Sequence, residues 1–460
     1  MLRISDDTCN RRQLLTIGGL GALSWSRLVS SLSAEQRRLL TGRSVIFLFQ
    51  QGGPSQHETF DPKPDAPEAN RTLTGTIGTA LPGVRFGDAL PQLAKLADQL
   101  NIVRSYQTNN AGHNIRPLVG PESLEANIGA HYARVAGATR PGTGMPTTAV
   151  LYPRAVDADT PRPEARGDLR ATGPHGSAYA PFVPGSGGQL QSDMELHLSR
   201  ERFLNDRQAL LRRLDGMRRQ AEGSASLQAF DAIREQSVEL LLGGGVSRAL
   251  DLSLEDPRTV ARYDTAPFVA PHGWRRANRG QRGYYTANAK SIGKLLLMAR
   301  RLCEAGCGFV TVHAGYAGVW DMHADGNNLN MVDGMQAVGY SFDHAVAALI
   351  EDLAARGMTD RVLLVASGEM GRTPRVNQRG GRDHWSRLAP LLLHGGGYQL
   401  GHVIGSSSKD GGEPSSDPLG PERLISTILH TQINIPELRL AAGIPPQIGQ
   451  LAQHPPLPLV

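Results

Sequence analysis

Six short apolar runs punctuate the chain: SVIFLF (44–49), NIVRS (101–105), TTAVLY (147–152), FVTVHA (309–314), RVLLVA (361–366) and APLLLH (389–394). Each is short and rich in β-branched or aliphatic residues, and reads as a buried strand. Between them apolar positions recur with helical spacing, as in AKSIGKLLLMARRLCEAG (289–306) and SFDHAVAALIEDLAARG (341–357). Both segments close on a Gly, the residue suited to the left-handed position just past a helix. Strand, helix, strand in that order implies right-handed crossovers. The pattern therefore predicts an α/β fold with a largely parallel central sheet and helices on both faces.

The middle of the chain breaks the alternation. Residues 154–192 are rich in Pro, Gly and Ser and read as an irregular connection, while 193–250 are helical and Arg-rich, sharpest in RQALLRRLDGMRRQ. Acidic residues interrupt that run, so its charges read as a solvated helix face. The expected organisation is a single domain over 42–455 with a helical insertion at about 193–265. GGG at 243–245 and 395–397 matches no phosphate loop, because neither is followed by Gly-Lys-Ser/Thr.

Composition narrows the function class. The 460 residues are 40% hydrophobic and 20% charged, enough to bury a large core. Of the formal net charge of +5, residues 1–43 supply +4, through seven arginines against Asp6, Asp7 and Glu35. The body is left near neutral and offers no net field for a phosphate backbone, so no nucleic-acid partner is expected.

The basic segment has its own reading. NRRQLLTIGGLGALSW sets Arg11 and Arg12 before an apolar stretch too short to span a bilayer. It resembles a twin-arginine export signal over 1–34, which predicts a periplasmic or extracellular protein with no transmembrane span in the mature chain; the alternative is an amphipathic N-terminal helix. Cys303 and Cys307, four apart, match neither a zinc knuckle nor a redox pair and are expected to pack in the core.

In open parallel sheets, ligands bind beyond the carboxyl ends of the strands. After SVIFLF the chain places Ser55, His57, Glu58 and Asp61; after NIVRS, Asn109, Asn110, His113 and Asn114; after FVTVHA, Asp321, His323 and Asp325. After RVLLVA comes SGEMGRTPRVNQRGGRDHW, with Glu369, Arg372, Asp383 and His384. Asp321 and His323, two apart, point to one side of an extended backbone and could approach one ion, or form a hydrogen-bonded turn. Asp383 could share a metal with His384 or orient its imidazole from behind. Glu369 follows a Ser-Gly turn that presents its carboxylate at the sheet edge. Arg372 could bind a tetrahedral oxyanion bidentately, or pair with Glu369 to pin the loop. Ser55, on a Gly-rich turn, is the best candidate hydroxyl nucleophile, or a residue capping its own backbone.

These pieces together resemble the exported bacterial family called domain of unknown function 1501, which is sulfatase-like and belongs with the alkaline-phosphatase-like fold. The matching stretches are GGPSQ through TFDPKPDAP (52–67), NIVRS and NNAGH (101–113), LLLMARRLCEAGCGFVTV (295–312), VWDMH (319–323), GEMGRTP (368–374) and GGRDHW (380–385). The resemblance implies a divalent metal (zinc, manganese or calcium) held by Asp, Glu and His at strand ends, and hydrolysis of a sulfate or phosphate ester on a small molecule or glycan. It marks Asp321, His323, Glu369, Asp383, His384 and Glu58 as candidate metal ligands and His113, Arg372 and Ser55 as candidate catalytic residues. Two departures stand out: Glu58 where the family pattern has Asp, and Asn114 where it has Ser. Nor does the chain contain the Cys/Ser-x-Pro-x-Arg segment from which sulfatases make formylglycine. The alternative is a non-catalytic secreted or surface protein that binds or assembles on the same scaffold.

Overall fold

A computed structural model describes residues 38–141, 143–185, 245–269 and 279–459. The signal segment at 1–34, and the expected insertion from 193 to 244, lie outside the described residues. Eleven strands are described: β1 (Ser44–Phe49), β2 (Thr76–Gly78), β3 (Arg85–Gly87), β4 (Asn101–Val103), β5 (Thr148–Leu151), β6 (Phe309–His313), β7 (Val362–Ser367), β8 (Gly371–Arg372), β9 (His384–Trp385), β10 (Leu391–Gly395) and β11 (His402–Ile404). Seven form the central sheet in the order β11-β4-β10-β7-β1-β6-β5, while β2–β3 and β8–β9 are separate two-stranded ladders.

The six apolar runs are all strands of the central sheet, and β11 joins at its edge. Pairings β1–β6, β1–β7, β5–β6 and β4–β11 are parallel. The sheet is thus largely parallel; β10 alone runs against its neighbours β4 and β7. That reversal brings the start of β10 to the edge where β1, β4, β6 and β7 end, since Leu391 pairs with Ser367.

Side-chain alternation along each strand divides the interior into two cores. Ile46 and Leu48 of β1 with Leu364 and Ala366 of β7 face one cluster, and Val45, Phe47 and Phe49 with Leu363 and Val365 face the other. The first is covered by α2 (Arg279–Glu304) and α3 (Met331–Ala355), the second by α1 (Ile128–Ala136) and α4 (Pro421–Gln432). Both faces being covered, a strand must be apolar throughout, which is why these runs lack a polar alternation. Each fully buried aliphatic side chain contributes about 1.5–3 kcal/mol through its removal from water.

Helices α2 and α3 each begin ten residues before the segments their periodicity marks. Gly334 and Gly339 blur the period near the start of α3, but Asn330 caps it, its side chain accepting from the Asp333 N–H at 2.8 Å. Beyond their ends, Gly306 (φ 105°) and Gly357 (φ 63°) take the left-handed conformation. Cys303 and Cys307 are buried and free.

Candidate metal centre and cavity

The residues after four strands and before a fifth meet at one edge of the sheet. Beyond β6 the chain carries Asp321 and His323 back across the edge. Beyond β7, Gly368 lets the backbone turn into Glu369; a Cβ at this position would lie 2.6 Å from the Gln50 carbonyl oxygen. β8 and β9 then pair antiparallel with Arg372 opposite His384. His384 reaches the site because β10, which follows it, runs in reverse. Beyond β1, Gly52 adopts φ 110°, and both oxygens of Glu369 accept its N–H, at 3.0 and 3.1 Å.

At the centre lies Asp321. Its Oδ1 faces Arg372 Nη2 at 2.7 Å, His323 Nδ1 at 2.9 Å and His384 Nε2 at 3.3 Å. Its Oδ2 faces His113 Nε2 at 2.9 Å and accepts from Asn328 Nδ2 at 3.1 Å. Burial alone would raise the Asp321 pKa, but hydrogen bonds from His113, His323 and His384 and the charge of Arg372 hold it well below the usual carboxylate range. For His113 burial is again the largest influence and lowers the pKa, yet Asp321 and then Glu369 outweigh it and raise the pKa to about 9. Glu369 is raised by burial despite its partners. His323 is raised by its hydrogen bond to Asp321, and its Nε2 lies 2.9 Å from Asp325.

One ligand atom each from His113, Asp321 and His384 lies within 4.8 Å of the other two. The hydrogen bonds behind them fit a metal. His113 Nδ1 faces Glu369 Oε1 at 3.1 Å and His384 Nδ1 faces the Ala111 carbonyl oxygen at 2.9 Å. With those Nδ1–H groups donated to protein acceptors, both imidazoles turn Nε2 towards Asp321, as outer partners arrange histidine ligands. His323 differs in that its Nδ1 faces Asp321, while its Nε2 is turned to Asp325. Two imidazoles and one carboxylate suit zinc or manganese better than calcium, which takes oxygen ligands. The cluster opens onto a cavity of about 550 Å³, within the range of small-molecule sites.

The other expected residues are placed elsewhere or already engaged. Glu58 is fully buried against Arg382, whose Nη2 lies 3.1 Å from Oε1 and whose Nε lies 3.1 Å from Oε2. The Leu73 N–H and the Ser55 hydroxyl also donate to Glu58. Every strong acceptor direction of Glu58 is therefore used, and Ser55 is committed to it; neither lines the cavity. The geometry supports neither as ligand or nucleophile. Asp383 is exposed and accepts from Asn377 Nδ2 at 3.2 Å, away from the cluster. Arg372 is fully buried, and besides Asp321 its N–H groups donate to the carbonyls of Gly53, Arg382 and Gly52. So buried and engaged, it does not line the cavity and is not placed to grip an oxyanion there.

Sequence reasoning also missed several groups. Arg382 stood in GGRDHW, but its burial against Glu58 is a long-range contact with no local signal. Arg166 and Glu164, in the irregular connection, and Tyr284, on α2, line the cavity though none directly follows a strand, and Tyr316 follows β6 but lacks metal-ligand chemistry.

A family model described as "Protein of unknown function (DUF1501)" matches residues 42–440. No curated protein matches the chain. Among solved structures, the PsFucS1 sulfatase from Pseudoalteromonas sp. is similar at 11% identity and a TM-score of 0.31, over 85% of this chain and 69% of that one. Ps i-CgsB is similar at 10% identity and a TM-score of 0.34, over 85% and 71%. Its complex with k-i-k-neocarrahexaose gives 9%, 0.32, 86% and 74%. Overlaps this loose say nothing about the site. No helix among the described residues is long and apolar enough to cross a membrane.

Proposed function

This chain belongs to the DUF1501 family, and on that premise we propose that it is an exported metal-dependent hydrolase of sulfate or phosphate esters. The observation that carries the reading is the convergence of His113, Asp321 and His384 on one point of a cavity at the sheet's carboxyl edge. A divalent metal held there, zinc or manganese, would polarise the ester and favour attack by water. The water oxygen bonds to phosphorus or sulfur, the ester bond breaks, and the departing oxygen takes up a proton, giving an alcohol and the inorganic anion. Among the described residues no Ser, Thr or Cys lines the cavity, and the nucleophile in this reading is water.

The protein's own residues do the positioning. Glu369 and the Ala111 carbonyl set the tautomers of His113 and His384, and Arg372 holds Asp321 in place. The substrate is a small-molecule or glycan ester. Export through the twin-arginine route rests on Arg11 and Arg12 with their flanking residues.

A second reading draws on the same lack of a Ser, Thr or Cys among the described lining residues: a secreted binding or assembly protein that keeps the metal as a structural element. Metal analysis of the purified protein, with a screen of aryl sulfates and aryl phosphates, separates the two. Bound zinc or manganese with turnover that disappears in His384→Ala supports the hydrolase. Metal without turnover supports the binding protein, and a metal-free protein that takes up no added zinc or manganese defeats the site assignment.

A further inference from the structure

The cluster of His113, Asp321 and His384 accounts for only part of the cavity. Of the rest, Arg166, Glu164, Tyr284 and Tyr316 belong to a separate group of elements. Glu164 and Tyr316 are joined by a parallel bridge, the Glu164 N–H donating to the Gly315 carbonyl at 2.7 Å and the Ala317 N–H to that of Glu164 at 3.1 Å. Arg166 is pinned through its backbone to the end of β1: its N–H donates to Gln51 Oε1 at 3.3 Å and its carbonyl accepts from Gln51 Nε2 at 3.5 Å. Gln51 is itself fully buried and bonded to His313. This stretch of loop is thus tied to the sheet at two points.

Among the described residues, the buried charges at the cavity are committed, and one cationic group is not. Asp321 is met by Arg372 and the histidines. Asp325 is met by His323 and by the N–H groups of Asn327 and Asn328. Glu164 is exposed, and the Tyr284 hydroxyl donates to the Arg162 carbonyl at 3.4 Å; burial and then the neighbouring Glu164 push the tyrosine up to about 12. Among the described residues, the guanidinium of Arg166 makes no hydrogen bond or ion pair. It is exposed, on a backbone that is held. Close by, the rings of Tyr284 and Tyr316 are stacked, with centroids 4.5 Å apart and planes 17° from parallel.

We infer that Arg166 binds the tetrahedral oxyanion of the substrate and that the stacked Tyr284 and Tyr316 receive a ring of its alcohol portion, so that the substrates are sulfate or phosphate esters of ring alcohols. This rests on the hydrolase reading above. Arg166 takes the role that Arg372 cannot, because a guanidinium with its donors free can grip two oxygens of such an anion at once. A flat aromatic surface beside it favours a sugar or aryl ring over an open chain.

The test is calorimetric titration of the full-length protein with inorganic phosphate, inorganic sulfate and phenylphosphonate, with metal content measured in parallel. Arg166→Gln weakens whichever inorganic anion the wild type binds by at least about tenfold, and Arg166→Lys recovers part of the loss. Tyr316→Ala weakens phenylphosphonate at least about fivefold more than it weakens the inorganic anion. The two anions report whether sulfate or phosphate is preferred. Unchanged anion binding in Arg166→Gln, or no binding of either anion by the wild type, overturns the inference. If Arg166→Gln hydrolyses aryl esters with an unchanged KM, the inference falls and the hydrolase reading survives. If His384→Ala loses its metal without effect on turnover while the Arg166 dependence of anion binding persists, the metal reading falls and the assignment of Arg166 survives.

Discussion

Arg372 Nη2 lies 2.7 Å from Asp321 Oδ1 in a fully buried setting, and this pair locks the loop after β7 to the loop after β6. Other N–H groups of the arginine reach carbonyls of the loop after β1 and of Arg382. Three loops therefore share one guanidinium. Arg372 is a positioning residue, and the charge it contributes acts through Asp321.

Arg372→Met leaves a buried carboxylate without its arginine and three loops without their common donor. The expected loss is about 3–5 kcal/mol of stability, as when one partner of a buried ion pair is removed. Urea unfolding measures it. Arg372→Lys does not rescue, because one ammonium cannot span the same carbonyls; full recovery in Arg372→Lys would show that charge alone matters here.

Glu369→Gln keeps the size of the side chain and removes the charge behind His113. Metal affinity falls by about 10–100-fold, the usual cost of losing an outer partner of a histidine ligand. Ser55→Ala leaves metal content and ester turnover at wild-type values and costs about 1–3 kcal/mol, because Glu58 loses one donor. Competition with a chelating dye reports the first effect and thermal unfolding the second. Turnover lost in Ser55→Ala without loss of fold would restore Ser55 as nucleophile.

Gly52→Ala tests the close approach at the end of β1. The added Cβ would stand 2.6 Å from the Asp321 backbone nitrogen, on a residue already at φ 110°. A destabilisation above about 1 kcal/mol is expected, together with weaker metal binding, since the Gly52 N–H also holds Glu369.

Acid should destabilise the fold through buried histidines that do not line the cavity. His131 is held at about 4, first by burial and then by His175, whose Nε2 lies 2.7 Å from its Nδ1. A folded-state pKa below the ordinary 6.5 means that the unfolded chain binds more protons between the two values. The stabilisation is fully present above about pH 6.5 and is lost as pH falls towards 4, with a slope of up to about 1.4 kcal/mol per pH unit for one group. Unfolding midpoints measured from pH 7 to 4.5 should decline, and less steeply in His131→Gln. An equal slope in the two proteins would remove His131 from the account. His57, lowered to about 4, and His313, lowered to about 3, both by burial, leave a residual slope in the variant.

The strands were legible because a sheet covered on both faces needs uninterrupted apolar runs, and such runs are a local property. The two long helices were legible over their strongest periodicity, while their first turns depended on a cap at Asn330 and on packing that reaches across the fold. Several of the site residues came from the rule that ligands gather at carboxyl ends, which selected Asp321, His323, Glu369 and His113. The same rule could not separate them from Glu58, Ser55 and Asp383, which have the same chemistry and similar positions.

The sequence by itself determined the α/β alternation, the two-sided core and the edge of the sheet where polar groups collect, since all three follow from hydrophobic period and strand order. Tertiary structure alone decided which of those groups meet. The reversal of β10 carried His384 to the edge, burial against Arg382 withdrew Glu58 and Ser55, and backbone carbonyls consumed Arg372 while leaving Arg166 free. Each of these outcomes depends on contacts between residues far apart in the chain, and on which donors and acceptors those contacts use up.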